Sequence, residues 1–472
     1  MEAEICVIGG GPAGAVAAYR LAQQGHDVLL LEGCAFPRRH VGESLPPSVL
    51  PMLEWLGLRE RVEHSGVVRP RGACIRWGRH ALWYKEFPTT PGMQVDRGRF
   101  DALLLEAARQ AGVRVLQPAR ASRPRHVGPH AWRVPTLVRG STRTVTARFL
   151  IDASGRRGIT GGRVIRLSAP TIALFAYWHE IPLRRPDPCV EAAADQWYWG
   201  APLPDGVFNA TVFVDAERCK GYGTRGLGAL YNTLVGQSVL LSPCLQGTLV
   251  SPIRACDASV LAREAPIGDD WIALGEASFA LDPLSSQGVN MAITTGLQGS
   301  IVVHTMLTLP ANATLAQAFY QARCTESLTT HRRFVQQYYA EQAACTPTAF
   351  WLKRCEAPLP TPSVALRSFT PGPLALDQPL RLSSLCTLQE TPVIADEFVI
   401  AQFALDHPAF DRPIAFVHGL SVAHLASMLN ARPTGHDLLT FWACHTSYDH
   451  GYRLLSWLWN AGVITYEQVG QG

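Results

Sequence analysis

A G-x-G-x-x-G turn set between a strand and a helix constrains this chain more than any other feature. Glu4-Ile-Cys-Val-Ile8 reads as a buried strand, Gly9-Gly-Gly11-Pro12-Ala13-Gly14 as the turn, and an apolar helical run follows to Gly25. Asp27 to Glu32 then reads as a second strand ending in an acid, with Gly33 after it. Gly9 permits the tight turn, Gly11 lets backbone amides approach a pyrophosphate at the helix N-terminus, and Gly14 allows the helix to pack closely on the strand. Glu32 is placed to accept hydrogen bonds from a ribose 2′-hydroxyl. A glycine-rich turn without a ligand does not account for strand, helix, strand and acid arriving in this order.

Two later strand-to-turn junctions point toward the same crevice. Gln94-Val-Asp-Arg97-Gly-Arg-Phe-Asp101 opens an amphipathic helix, and Phe149-Leu-Ile-Asp152-Ala-Ser-Gly155 is a strand running into a glycine turn. From about residue 165 the pattern changes to aromatic β-type stretches, Ile172 to Trp178, Gln196 to Trp199 and Val207 to Phe213. They predict an antiparallel sheet covering one side of a nucleotide site. Trp271 to Asn290 returns to the nucleotide domain, and helical patterns follow over 289–308 and 314–342. The chain therefore reads as α/β, or α+β overall. A Rossmann-like domain (1–165 and 263–355) carries an inserted antiparallel-sheet substrate domain (166–262). A proline-rich linker (356–392) leads to a small, mainly helical C-terminal module (393–472).

At 472 residues the chain exceeds a single hydrophobic core. Its net charge of +4 is small, and the basic residues are almost all arginine, lysine occurring only at Lys85, Lys220 and Lys353. No Lys-rich patch argues for nucleic acid or a membrane surface. Twelve cysteines without a CxxC pair predict reduced, mostly buried thiols, and no leader segment is read at the N-terminus. The expected location is cytoplasmic.

In order over residues 1 to about 345, these landmarks resemble the flavoprotein monooxygenases of the para-hydroxybenzoate hydroxylase fold, in the branch that contains flavin-dependent halogenases. The resemblance implies FAD as cofactor, with Gly9, Gly11, Pro12, Ala13, Gly14, Glu32 and Gly33 at its adenylate end. Gly42-Glu43-Ser44 resembles the loop that lies along the flavin in halogenase-like enzymes, and Arg39 precedes it. Arg97 looks like the arginine that holds the diphosphate. Gly275-Glu276 stands where the fold usually has Gly-Asp, and Asp282, Pro283, Gly288, Val289 and Asn290 resemble the segment over the isoalloxazine ring.

Two departures bear on the chemistry. Trp197-Tyr-Trp199-Gly-Ala-Pro202 echoes the W-x-W-x-I-P segment of halogenases with Ala for Ile. The lysine that halogenases place between flavin and substrate has no counterpart in Val67 to Gly78, where only arginines stand. Arginine, with a pKa above about 12, offers no free amine to capture hypohalous acid. Halogenase-like flavoproteins without that lysine include the peptidyl-tryptophan hydroxylases of tryptophylquinone (CTQ) maturation, and Asp282 to Gly288 looks especially like that group. The resemblance thus implies an FAD-dependent monooxygenase that hydroxylates an electron-rich aromatic ring through a flavin C4a-hydroperoxide, on a tryptophan in a protein or peptide partner. Its electrons would come from NAD(P)H or a separate flavin reductase. Glu43 is the catalytic candidate, for orienting substrate, or else a carboxylate of the FAD loop. Trp178, Trp197 and Trp199 are pocket candidates, or else core. Halogenation through a non-standard lysine, and a flavin-bound maturation scaffold without turnover, stay as alternatives. No metal site and no nucleic-acid or membrane partner is expected.

Overall fold

A computed structural model of the protein describes residues 1–38, 40–87, 91–183, 187–355, 372–417, 419–444 and 447–466. It divides into two compact units, Met1–Ala313 with Tyr320–Leu359 and Thr314–Phe319 with Pro360–Gly472.

The first unit begins with β1 (Glu2–Ile8), α1 (Pro12–Gln23) and β2 (Val28–Leu31), followed later by α2 (Arg97–Gln110), β3 (Arg114–Leu116) and β4 (Ser141–Asp152). The parallel strands run in the order β3-β2-β1-β4, with Trp271–Ala273 beside β4, so the chain winds outward from β1 in both directions. All four residues of β2 and the last four of β1 are buried, as expected of parallel strands covered on both faces. Asp96 caps α2, its Oδ1 accepting the Arg99 amide at 2.9 Å.

A second, mainly antiparallel sheet contains β5 (Thr171–His179), β6 (Trp197–Pro202) and β7 (Phe208–Asp215), with β7 between the other two. One face packs on α3 (Thr224–Gln237) through Leu174, Ala176, Trp178, Tyr198, Val212, Tyr231 and Leu234. The sheet also recruits Gly72–Arg76 and Trp83–Glu86, so it is not confined to residues 166–262 as the aromatic pattern suggested. The chain then forms α4 (Gly288–Thr308), whose Val289 and Ile293 share a core with Val16 of α1 and Phe100 and Leu104 of α2, and α5 (Ala313–Cys345).

In the second unit, three helices, Val422–Asn430, Gly435–Trp442 and Tyr448–Asn460, bury Leu425, Leu439, Leu455 and Trp459 in one core. The unit is less helical than its sequence suggested. Thr387–Ala395 and Phe398–Asp406 form a β-hairpin, and Leu380–Leu382 pairs with Ile464–Tyr466, so strands occupy the C-terminal part of the expected linker.

Candidate functional site

A cavity of about 880 Å³ opens in the first unit where the ends of β1, β2 and β4 meet the second sheet. Its nucleotide-side wall includes Gly9, Gly11, Pro12, Ala13, Glu32, Gly33 and Arg38. Gly9 has φ +109°, in the left-handed region, and a Cβ there would stand 2.2 Å from the Ala153 carbonyl oxygen. Gly14 is not on the wall. It lies beneath the turn, where a Cβ would stand 2.0 Å from the Gly9 oxygen, so it sets how closely α1 sits on β1. No side chain caps α1, and its first amides remain available to an anion. The two Glu32 oxygens accept the Gly10 amide at 2.7 Å and the Cys34 amide at 2.8 Å. Those bonds fix the carboxylate at the rim and leave lone pairs for hydroxyl donors. Next to it, fully buried Asp152 holds the Ala153–Arg157 wall by accepting the amides of Ser154 (3.1 Å), Ile159 (2.8 Å) and Thr160 (3.0 Å).

At the other end the wall comprises Val41, Gly42, Glu43, Ser44, Gly275, Glu276, Asp282, Pro283, Gly288 and Val289. Arg97 also lines it, but its guanidinium is committed. It pairs with both oxygens of fully buried Asp101 at 2.9 and 3.1 Å, and its Nη1 donates to the carbonyls of Val41 (2.9 Å) and Gly42 (3.3 Å). Within the protein, Asp101, four residues on, holds Arg97 as a brace for the Gly42–Ser44 loop, while Arg97 remains on the cavity wall. Arg38 is the guanidinium that faces the turn with a buried Nε lacking a protein partner. Its Nη2 lies 3.8 Å from the Cβ position of Gly11. Arg39 lies outside the described residues.

The third wall is the face of the second sheet opposite α3. Alternation along the strands sends Ala173, Phe175, Asn209, Thr211, Phe213 and Trp199 into the cavity. Trp178 has the other parity. It lies in the α3 core and donates to the Tyr231 hydroxyl at 3.1 Å, so it is not a pocket residue. Trp197 has the right parity but is covered: it stacks on Phe213 at 3.7 Å and meets Trp77 edge-on, so it too falls outside the lining. Asn290 likewise turns away, its amide donating to the Gln287 side chain at 2.8 Å. His64, His179, His304 and all three lysines are absent from the wall.

Two carboxylates face this sheet, Glu43 buried and Asp282 half-buried. Glu43, 1% exposed, accepts the Tyr177 hydroxyl (2.7 Å) and the Asn209 amide (2.9 Å) on Oε1 and the Gly42 amide (2.8 Å) on Oε2. Asp282 accepts the Tyr339 hydroxyl at 3.0 and 2.9 Å on its two oxygens and the Leu284 amide at 3.0 Å. Burial pushes both carboxyls above the usual carboxylate range, and the hydrogen bonds pull in the opposite direction. Tyr177, Asn209, Phe175, Phe213 and Arg38 were not singled out from sequence. The strand parity that displaces Trp178 was the signal for Phe175 and Phe213.

The donor set fits FAD. An uncapped helix N-terminus and a partnerless buried arginine nitrogen suit the diphosphate, the Glu32 carboxylate suits ribose hydroxyls, and the glycine-rich walls leave room for a flat ring.

Comparison with known proteins agrees. Residues 84–370 match the tryptophan halogenase family and residues 4–158 match FAD-dependent oxidoreductases. A tryptophan 2-halogenase of Chondromyces crocatus is 31% identical over 366 residues, covering 74% of this chain and 70% of that protein. The flavin-dependent halogenase CmlS has the same fold, with a TM-score of 0.79 at 20% identity over 99% of this chain and 96% of that one. QhpG, a peptidyl tryptophan dihydroxylase essential for tryptophylquinone cofactor biogenesis, aligns with a TM-score of 0.72 at 25% identity over 98% of this chain and 100% of that one. No described helix is long and apolar enough to cross a membrane. The chain belongs to the tryptophan halogenase family, as an FAD-dependent enzyme of the oxidoreductase type.

Proposed function

We propose that this protein is a monooxygenase that hydroxylates an electron-rich aromatic ring, a tryptophan side chain carried by a partner polypeptide during tryptophylquinone biogenesis. The observation that carries the reading is the make-up of the wall facing the second sheet. It offers aromatic faces and two carboxylates, Glu43 and Asp282, and no lysine. Lys85 lies on the exposed strand Trp83–Glu86, Lys220 pairs with Glu217 at 2.7 Å, and Lys353 stands 3.8 Å from Asp215. Capturing a halogen oxidant through nitrogen requires a free amine, which arginine does not supply. The likeness to QhpG over nearly the whole chain supports a peptide-borne substrate.

FAD, when bound and reduced, supplies the activation of dioxygen. The remaining tasks fall to the chain. Phe175, Phe213 and Trp199 provide the faces against which a ring is positioned, and the Gly42–Ser44 loop, braced by Arg97, closes the cavity beside them. Glu43 Oε2, which accepts the Gly42 amide, keeps an acceptor position for the proton a ring carbon releases on hydroxylation. Electrons come from NAD(P)H or from a separate flavin reductase.

Halogenation is the second reading, favoured by the sequence relatives. The two separate when reduced holoprotein is given oxygen and tryptophan-bearing peptides with and without chloride or bromide. We expect a mass gain of oxygen that is independent of halide and unaffected by Lys85→Ala. A halide-dependent gain that Lys85→Ala abolishes would establish halogenation.

A further inference from the structure

We propose that the substrate end of the cavity selects neutral or positively charged aromatic groups and excludes aromatic carboxylates, and that Glu43 and Asp282 set this selectivity. The inference deepens the aromatic-substrate reading of the same cavity and rests on it. Strand register carries the geometry. On the cavity face of β5, β7 and β6 the residues form three rows: Ala173, Phe213 and Trp197; Phe175, Thr211 and Trp199; Tyr177, Asn209 and Ala201. Neighbouring rows on one face are two residues apart along a strand, about 7 Å. The Tyr177–Asn209 row holds Glu43 through two hydrogen bonds. On the opposite side, the Phe213 row shares its core with Tyr339, whose hydroxyl holds Asp282. The middle row, with the ring faces of Phe175 and Trp199, therefore lies between two carboxylates, the buried Glu43 and the half-buried Asp282.

The cations nearest them are already engaged by other carboxylates, Arg354 by Asp215 at 2.9 Å among them. Arg38 faces the glycine turn, and Arg97 is taken by Asp101. Arg156 pairs with Glu276 at 3.1 Å and stands 3.9 Å from Asp257, itself on the wall. Arg120 stands by Gly33 and Arg157 ends the Ala153–Arg157 stretch, both in the nucleotide-side wall, and no lysine lines the cavity. An anionic ligand would bring a further negative charge into a poorly solvated space, whereas an ammonium gains attraction from both carboxylates and from the aromatic faces. A tryptophan within a polypeptide, whose own carboxyl and amine are peptide bonds, meets this requirement.

The test is equilibrium binding to the FAD-loaded protein, read by the change in flavin absorbance, of three indoles that differ in charge: tryptamine, N-acetyltryptophanamide and indole-3-acetate. Tryptamine should bind most tightly and the neutral amide next, with indole-3-acetate weaker than tryptamine by at least about tenfold. Glu43→Gln and Asp282→Asn should each narrow that ratio while retaining the neutral amide, which also reports that the variant is folded. Indole-3-acetate binding as tightly as tryptamine overturns the charge selectivity and leaves the aromatic-substrate reading standing. Failure of all three indoles to bind overturns both.

Discussion

Gly14→Ala should produce a protein that no longer retains FAD and unfolds far more readily than its parent. The added Cβ would stand 2.0 Å from the Gly9 carbonyl oxygen and 2.9 Å from Ala153 Cβ. The first is backbone in a turn already held at φ +109°, so no rotamer change relieves the contact and α1 must lift from β1. The apolar face of α1, with Ala15, Val16 and Leu21 buried, would lift with it. Strain of this kind belongs with the large destabilisations, about 3 kcal/mol or more. Gly11→Ala provides the contrast. Its nearest neighbour would be Arg38 Nη2 at 3.8 Å, so the fold has room and only the cavity is invaded. Thermal melting of the two apoproteins alongside FAD titration separates the cases: Gly14→Ala loses stability and cofactor, whereas Gly11→Ala melts near the parent and loses cofactor affinity.

Arg97→Met is expected to cost about 3–5 kcal/mol, because it leaves the Asp101 carboxylate buried without its partner. Asp101 is fully buried, and the remaining cation, Arg38, stands 3.7 Å away. The loss of Arg97 also frees the Val41 and Gly42 carbonyls, so the loop that presents Glu43 should loosen and FAD affinity should fall. Replacing both members of the pair, Arg97→Met with Asp101→Leu, removes the uncompensated charge and should recover most of the stability but not the loop. Denaturant midpoints for the single and double variants, with FAD dissociation constants for each, measure the two effects independently. If the single variant proves as stable as the parent, the penalty assigned to the unpaired Asp101 carboxylate is wrong; if its FAD affinity is unchanged, the bracing role assigned to Arg97 is wrong.

The nucleotide half of the molecule was legible because its requirements are local. A turn that must admit a phosphate needs glycine at Gly9 and Gly11, Gly14 lets the helix pack beneath it, and the second strand and its acid follow within thirty residues. The sheet wall was legible as a sheet but less so as a surface. In Ile172-Ala-Leu-Phe-Ala-Tyr-Trp178, alternation alone puts Phe175 and Trp178 on opposite faces, yet aromatic content drew attention to Trp178. Trp197 shares the parity of Trp199, and only the packing of Phe213 and Trp77 over it shows that it is covered. The partners of Glu43 lie 134 and 166 residues away in sequence, so Tyr177 and Asn209 became identifiable only when β5 and β7 were in register. Arg97 was recognised as a site residue, but its pairing with Asp101, an i,i+4 acid on the same helix, was not anticipated. Beyond residue 372, proline density suggested a linker, whereas Pro392 sits within a paired strand opposite Ala401.

The origin of the atom added to the substrate separates hydroxylation from halogenation most directly. Reduced holoprotein should be allowed to turn over a tryptophan-bearing polypeptide under isotopically heavy dioxygen in ordinary water, with bromide present, and the product read by intact mass. Hydroxylation predicts product carrying heavy oxygen from the gas and no bromine. Brominated product, or product whose added oxygen comes from water, would contradict it.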